Sequence, residues 1–297
     1  MTEAQLRVLV TVADTGGFSP AAARLSMSQP GVSRAVAALE TELGTPLLLR
    51  RNGRAAPTPA GERVLGHARE MLARAEAIRQ EAAAGGGRYA GRVRFGSFAS
   101  VSAHLLPRIL AALRVRHPGV EVALFEGHDE EVLRWVRERA VDVAVVARAV
   151  PDLELRSLAS DQLVAVLRAD HPLAAEPSTT LEALAAEPFV LSRGGCERLI
   201  LEAFAAAGHA PRVAFEVQEI STIVAMVAEG LGVSVVPELA AAGVPARVTL
   251  RPLAPRVERR LALAVPSLAE APPAVHALLD VAELLRQEVD NRGSGMP

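Results

Sequence analysis

Two groups of residues in this 297-residue sequence carry side chains whose types and spacing suit recognition chemistry. The first lies in the opening sixty residues. Arg50, Arg51 and Arg54 bracket an Asn52-Gly53 pair, and guanidinium groups clustered at a tight turn can reach phosphates or a minor groove, where negative potential draws them. Just upstream, Ser28, Gln29, Pro30, Ser33 and Arg34 fall within one short polar stretch. The second group is spread over the C-terminal two thirds: Ser97-Phe98-Ala99-Ser100-Val101, Gly127-His128, Arg148, Ser192 with Gly194-Gly195, and Ile220-Ser221. Hydroxyls and amides at a helix start can bind a carboxylate or another anion, and an arginine can pair with a carboxylate in bidentate fashion.

Other chemistries find no footing. The seven histidines show no i, i+4 pair and no neighbouring cysteine, so no metal site is expected. There is no P-loop and no nucleophile elbow. Gly85-Gly86-Gly87 follows a predicted helix and precedes a predicted strand, the reverse of a dinucleotide fingerprint. The expectation is a protein that is no enzyme and needs no cofactor. Cys196 is the single cysteine, so no intrachain disulfide forms. It opens a predicted helix, where the dipole favours a thiolate, against the plainer reading of an unreactive or ligand-side residue.

Half the residues are hydrophobic and 22% are charged, the composition of a folded protein with room for two or three compact units. Residues 1–91 carry eleven Arg against eight Asp and Glu, a net of +3 that leaves −5 for the rest of a chain whose total is −2. This polarity is mild, and with so much alanine the all-arginine basic set reads as a coding bias. The N-terminus lacks a basic segment followed by an unbroken apolar run, and no stretch reaches the length of a membrane span, so a cytoplasmic protein is expected.

The first group needs elements to position it. Leu6, Leu9, Val10 and Ala13 recur at helical spacing from Ala4 to Thr15, and Gly16-Gly17 ends that helix. Ser19 as N-cap with Pro20 behind it predicts a second, short helix to Leu25. Ser28 then caps a third, Gln29 to Leu43, with Val32, Val36, Leu39 and Leu43 on one stripe and Gly44 as its C-terminal stop. Two short helices joined by Ser26-Met27-Ser28 match a helix-turn-helix, whose second helix enters the major groove. The segment Pro46 to Arg54 reads as a strand, a turn at Asn52-Gly53 and a return, the wing. A plain helical bundle with solvated charges remains the alternative.

Thr58 caps and Pro59 opens a long helix to about Ala84, with Leu65, Ala68, Leu72, Ala75, Ile78 and Ala82 at alternating three and four. Such a seam pairs with a second copy of itself or packs on its own domain. The domain boundary is placed at Gly85-Gly86-Gly87.

From Arg92 the pattern alternates between strands and helices: Val93 to Gly96, Leu105 to Arg116, Val120 to Glu126, Glu130 to Arg139 and Val143 to Val146, then Leu163 to Leu167, Phe189 to Leu191, Glu197 to Ala207, Val213 to Val217, Thr222 to Glu229 and Val233 to Val236. Two sublobes with mainly parallel sheets follow, with ligands beyond the C-terminal strand ends. The loops named above sit at such ends. Ser97 and Ser100 read equally as helix caps, and Arg148 equally as a solvated surface residue.

The stretches Phe18-Ser19-Pro20-Ala21-Ala22-Ala23-Arg24-Leu25, Ser28-Gln29-Pro30-Gly31-Val32-Ser33-Arg34, Ala38-Leu39-Glu40 through Gly44, and Thr58-Pro59-Ala60-Gly61 resemble the signature of LysR-type transcriptional regulators. The resemblance covers nearly the whole chain and is sharpest at the N-terminus. It implies an all-α winged helix-turn-helix at residues 1–58, a linker helix and hinge at 59–91, and a C-terminal α/β two-lobed domain similar to periplasmic binding proteins. In that domain residues 92–161 with 267–290 form one lobe and 162–266 the other, with strand Arg260 to Val265 and helix Ala274 to Glu288 returning to complete the first. It further implies that Gln29, Pro30, Ser33 and Arg34 face base edges and nearby phosphates, at the helix start that Ser28 caps. Arg50, Arg51 and Arg54 then contact the backbone. Gln and Arg suit adenine and guanine edges, and Pro30 offers either a thymine-methyl contact or first-turn helix stabilisation.

The implied partners are double-stranded DNA, a small effector between the lobes, and further copies of the chain: a homodimer through the linker helix, assembled into a homotetramer. Effector contacts fall at Ser97, Phe98, Ser100, Val101, His128, Arg148, Ser192, Gly195 and Ser221. Aromatic residues make up only 3% of the chain, which points to a small aliphatic or carboxylated effector. Peroxide-sensing members of the family use a pair of cysteines, and this chain has one. The rival readings are a sensor or transport-type binding protein without a DNA role, and an α/β enzyme.

Overall fold

The computed structural model describes residues 1–51, 54–84, 89–241 and 243–293, with the backbone alone at 50, 51, 80–84 and 289–293. Two compact units result, one built on residues 1–84 and one on residues 89–137 and 141–293.

The first unit is built from α1 (Glu3–Thr15), α2 (Phe18–Leu25), α3 (Gln29–Leu43), β1 (Leu48–Arg51), β2 (Arg54–Pro57) and α4 (Pro59–Ala84). Thr2 and Gln5 close a reciprocal capping box on α1, and Gly16 and Gly44 end α1 and α3 in the left-handed region. Helix α2 starts one residue before the expected Ser19 cap. Phe18 is its first residue and Gly17 its N-cap, which lets the Phe18 ring enter the core. Leu6, Leu9, Val12, Ala21, Val32, Val36 and Leu39 close the three helices on one another, whereas Leu43, expected on the buried stripe, is exposed in the last turn of α3.

The linker helix divides its seam. Leu65 and Ala68 are buried in the core of the first unit and Leu72 packs against it, so this part of the stripe belongs to its own domain. Ile78 stays 70% exposed. The turn at Asn52-Gly53 and the hinge at Gly85-Gly86-Gly87 lie outside the described residues.

The second unit opens with β3 (Ala90–Ser97), α5 (Ala99–His104), α6 (Leu106–Arg116), β4 (Gly119–Glu126), α7 (Asp129–Arg137), β5 (Val143–Val146) and β6 (Glu154–Arg168). It continues through α8 (Leu181–Ala185), β7 (Pro188–Ser192), α9 (Glu197–Ala206), β8 (Arg212–Val217), α10 (Ile220–Ala228), β9 (Ser234–Pro237) and β10 (Val248–Pro252), and ends with β11 (Glu258–Val265) and α11 (Pro273–Gly293). In the first lobe β3 lies parallel between β4 and β5, and β11 runs antiparallel between β5 and the start of β6. In the second lobe the end of β6 lies between β9 and β10, and a bridge from Val233 to Phe189 links β9 to the parallel pair β7-β8.

Strand β6 therefore serves both lobes: residues 154–162 pair with β11, and residues 163–168 with β9 and β10. The boundary on the return path falls earlier than the expected 267. Leu261, Leu263 and Val265 of β11 are buried in the first-lobe core with Val93, Phe95 and Leu278, so this strand belongs to the first lobe and not to a 162–266 segment. The single helix expected from Leu105 to Arg116 is preceded by the separate short helix α5, with Leu105 between the two.

Candidate nucleic-acid interface and ligand cleft

At the start of α3 the Ser28 hydroxyl accepts from the Gly31 N–H at 3.2 Å, satisfying one of the first-turn donors. Val32, Val36 and Leu39 fix the rotation of the helix by entering the core, and that rotation leaves Gln29, Pro30 and Arg34 exposed and Ser33 half-buried. Arg34 makes no ion pair among the described residues, so its guanidinium is available to an outside acceptor.

The wing is locked to this helix from behind. One carboxylate oxygen of Glu40, on α3, accepts from the backbone N–H groups of Leu47 (2.7 Å) and Leu48 (3.1 Å). Thr58 holds the other side: its hydroxyl donates to the Pro46 carbonyl (2.9 Å) and accepts from the Gly61 N–H (2.9 Å), while its own N–H donates to the Leu47 carbonyl (2.9 Å). A Cβ at position 61 would stand 2.0 Å from that Leu47 oxygen, so only glycine lets α4 start so close to the wing root. Strands β1 and β2 pair antiparallel down to Arg51 opposite Arg54. Arg54 is exposed; the side chains of Arg50 and Arg51 lie outside the described residues. No sequence motif marks Glu40 as the anchor of the wing.

The second unit carries a cavity of about 490 Å³ between its lobes. Phe98, Ser100, His128, Ser192, Gly195 and Ser221, all expected contacts, line it. Three others do not. Val101 is fully buried in the first-lobe core. Ser97 is buried too, and its hydroxyl donates to the Phe98 carbonyl at 3.4 Å. Arg148 lines an adjoining cavity of about 580 Å³ and is paired with Glu130 at 2.9 Å. Alternation along β3 and the packing of α5 turn Ser97 and Val101 inward, and Glu130, in the first turn of α7, holds Arg148 aside.

The sequence reading missed the group at the centre of the cleft. Arg259, near the start of β11, is 2% exposed and lines both cavities. Its guanidinium donates to the Asp161 carboxylate (2.5 Å), to the Ser100 hydroxyl (3.2 Å) and to the Cys196 sulfur (3.4 Å), and it stands 5.6 Å from the centroid of the Phe98 ring. Ser100 and Phe98 belong to the first lobe, Cys196 caps α9 of the second, and Asp161 sits where β6 passes from one lobe to the other. A single side chain thus ties the lobes together across the cleft. Period-2 alternation was the available signal: Arg259 shares a face with Leu261 and Leu263, as Asp161 does with Leu163 and Ala165.

Burial pushes the Cys196 thiol above its ordinary range, with Arg259 opposing, so the dipole effect expected at this helix start is outweighed. Asp129, the first residue of α7, also lines both cavities, and burial raises its carboxyl while Arg148, Arg259 and Arg198 act in the opposite sense. Among the described residues no group of three His, Cys, Asp or Glu is placed to hold a metal ion, and no helix is long and apolar enough to cross a membrane.

Both units have counterparts among known proteins. Residues 4–62 match the model of the bacterial regulatory helix-turn-helix protein, lysR family, and residues 86–286 that of the LysR substrate binding domain. The chain is 38% identical over 289 residues to the uncharacterized HTH-type transcriptional regulator YvbU of Bacillus subtilis, covering 96% of this chain and 99% of that one. It is 37% identical over 295 residues to the probable HTH-type transcriptional regulator LrrA of Synechococcus elongatus, covering 99% and 100%. Among solved structures, a full-length OxyR variant from Pseudomonas aeruginosa superposes with a TM-score of 0.76 at 30% identity, over 96% of this chain and 95% of the other.

Proposed function

The chain belongs to the LysR family of DNA-binding transcriptional regulators, and from that premise we propose how its two units do the work. Helix α3 reads the major groove through Ser28, Gln29, Pro30, Ser33 and Arg34, and the wing arginines Arg50, Arg51 and Arg54 hold the DNA backbone. The carrying observation is that the core contacts of α3 leave Gln29, Pro30 and Arg34 facing outward on a helix whose wing is fixed to it through Glu40. Arg34 suits the O6 and N7 acceptors of guanine and Gln29 the edge of adenine.

A small effector occupies the 490 Å³ cleft, touching Phe98, Ser100, His128, Ser192, Gly195 and Ser221, and competes for or completes the bonds of Arg259. It shifts DNA binding only as far as it binds one lobe arrangement more tightly than another. Two chains pair through the distal part of α4, where Ile78 is uncovered, which presents two α3 helices to a two-fold-related site. Two such dimers form the homotetramer. The protein works beside the chromosome in the cytoplasm and carries out no catalytic step. A free-standing transport or sensor protein would have no use for the head built around α3. Titrating DNA from upstream of the protein's own gene, with and without a small-molecule extract, tests this reading. Specific binding whose affinity the extract changes supports it, and specific binding indifferent to every extract removes the effector half.

A further inference from the structure

We propose that the first lobe carries a second ligand site, separate from the inter-lobe cleft, and that it takes a small aliphatic monocarboxylate. The proposal does not depend on the cleft being the effector site. A cavity of about 280 Å³ lies between the start of α6, the middle of α11 and the stretch of β6 just before the lobe crossover. It shares no lining residue with either cavity at the cleft. Leu105, Ile109, Leu158, Leu239, Ala282 and Leu285 form its wall, and all of them belong to the first-lobe core or pack against it. No aromatic ring lines the cavity, so the apolar surface it offers is aliphatic.

The polar part of the lining has one sign. It consists of Arg108, Arg286 and Ser160, and no acid among the described residues lines the cavity. Arg286 is held by Glu283, to which it donates at 3.0 and 2.6 Å. Arg108 is exposed and makes no ion pair or side-chain hydrogen bond among the described residues, and the same holds for the Ser160 hydroxyl. An uncompensated guanidinium beside an aliphatic wall suits a ligand with the matching arrangement, an apolar chain ending in one carboxylate, which Arg108 can receive in bidentate fashion while Ser160 donates. An ammonium head would be repelled by the arginines, and a second carboxylate would be buried against the apolar wall without a partner. The site also touches the device that joins the lobes. Leu239, in the short helical turn Glu238–Ala241 after β9, donates its backbone N–H to the Asp161 carboxylate at 3.3 Å, and Asp161 in turn holds Arg259. A ligand packed on Leu239 therefore bears on the carboxylate that fixes Arg259 in the cleft.

The test adds n-hexanoate, n-hexylammonium and n-hexanol to the full-length protein at constant ionic strength, with thermal unfolding as readout. Hexanoate is expected to raise the melting temperature by about 2 °C at several times its dissociation constant. It should bind about tenfold more tightly than butyrate, because two further methylenes leave water. Arg108→Glu, which reverses the charge, and Ser160→Phe, which fills the space, are both at exposed positions, and each should weaken hexanoate about tenfold. Equal stabilisation by hexylammonium or hexanol, a hexanoate effect that survives either substitution, or no effect from any probe overturns the assignment. A DNA titration with hexanoate present reads the link through Leu239. Altered affinity in the wild type and not in Arg108→Glu supports that link, and unaltered affinity in a protein that binds hexanoate removes it while leaving the site.

Discussion

The Arg259 guanidinium and the Asp161 carboxylate form an ion pair at 2.5 Å with both side chains 2% exposed. Both charges have left water, and breaking such a pair strands the survivor. Arg259→Ala is therefore expected to cost about 3–5 kcal/mol of unfolding free energy in urea. Arg259→Met combined with Asp161→Leu should recover most of the loss, because no uncompensated charge remains. Equal losses in the single and double variants would show that packing, not charge, is what the pair supplies.

Gly61 has no room for a side chain beside the Leu47 carbonyl. Gly61→Ala should destabilise the first unit by about 1–3 kcal/mol and weaken DNA binding, since the wing root must shift. Neutral stability with unchanged DNA affinity would place the close approach elsewhere.

Burial raises the carboxyl of Asp129 above its unfolded value. Between the two values the folded state holds more protons than the unfolded one, so stability falls as pH rises through this window. Above it the ionised Asp129 is a standing cost. Asp129→Asn should accordingly stabilise the free protein at neutral pH, with the gain disappearing below the ordinary carboxylate range. Denaturation curves at neutral and acidic pH check the sign, and a variant less stable at neutral pH contradicts it.

Ile78 is 70% exposed on α4 beyond the stretch covered by the first unit. If this is the pairing surface, Ile78→Arg should shift sedimentation toward monomer and weaken binding to a two-fold operator, while Met71→Arg, also exposed but off the seam, changes less. Unchanged sedimentation would move the dimer contact off the helix.

Most of the architecture was legible because it is written in local chemistry. Ser28, Gly44, Thr58 and Pro59 mark ends that capping rules identify without tertiary knowledge, and α3 and α4 start where those residues place them. Local rules misled where packing overrode them. Ser19 is a good cap in isolation, yet burying Phe18 starts α2 earlier. Leu65 and Leu72 repeat like a coiled-coil seam, but α1 offers them a core before any second chain can. The site was legible in its loops and not in its centre. Phe98, His128 and Ser192 follow strand ends and meet at the cleft, whereas Arg259 and Asp161 are charged residues on strands, and only the strand period reveals that they face inward. Glu40 has no sequence mark of its role, because its partners are backbone N–H groups seven and eight residues on.

The most direct test of the central claim is a salt-dependent binding titration of the DNA upstream of the protein's own gene, comparing the wild type with Arg34→Ala and Arg54→Ala. Arg34→Ala should cost about 1–3 kcal/mol on the specific fragment and little on unrelated DNA, whereas Arg54→Ala should weaken both alike and flatten the salt slope by about one unit. Equal losses on specific and unrelated DNA for Arg34→Ala, or specific binding untouched by it, would contradict the assignment of α3 as the reading helix.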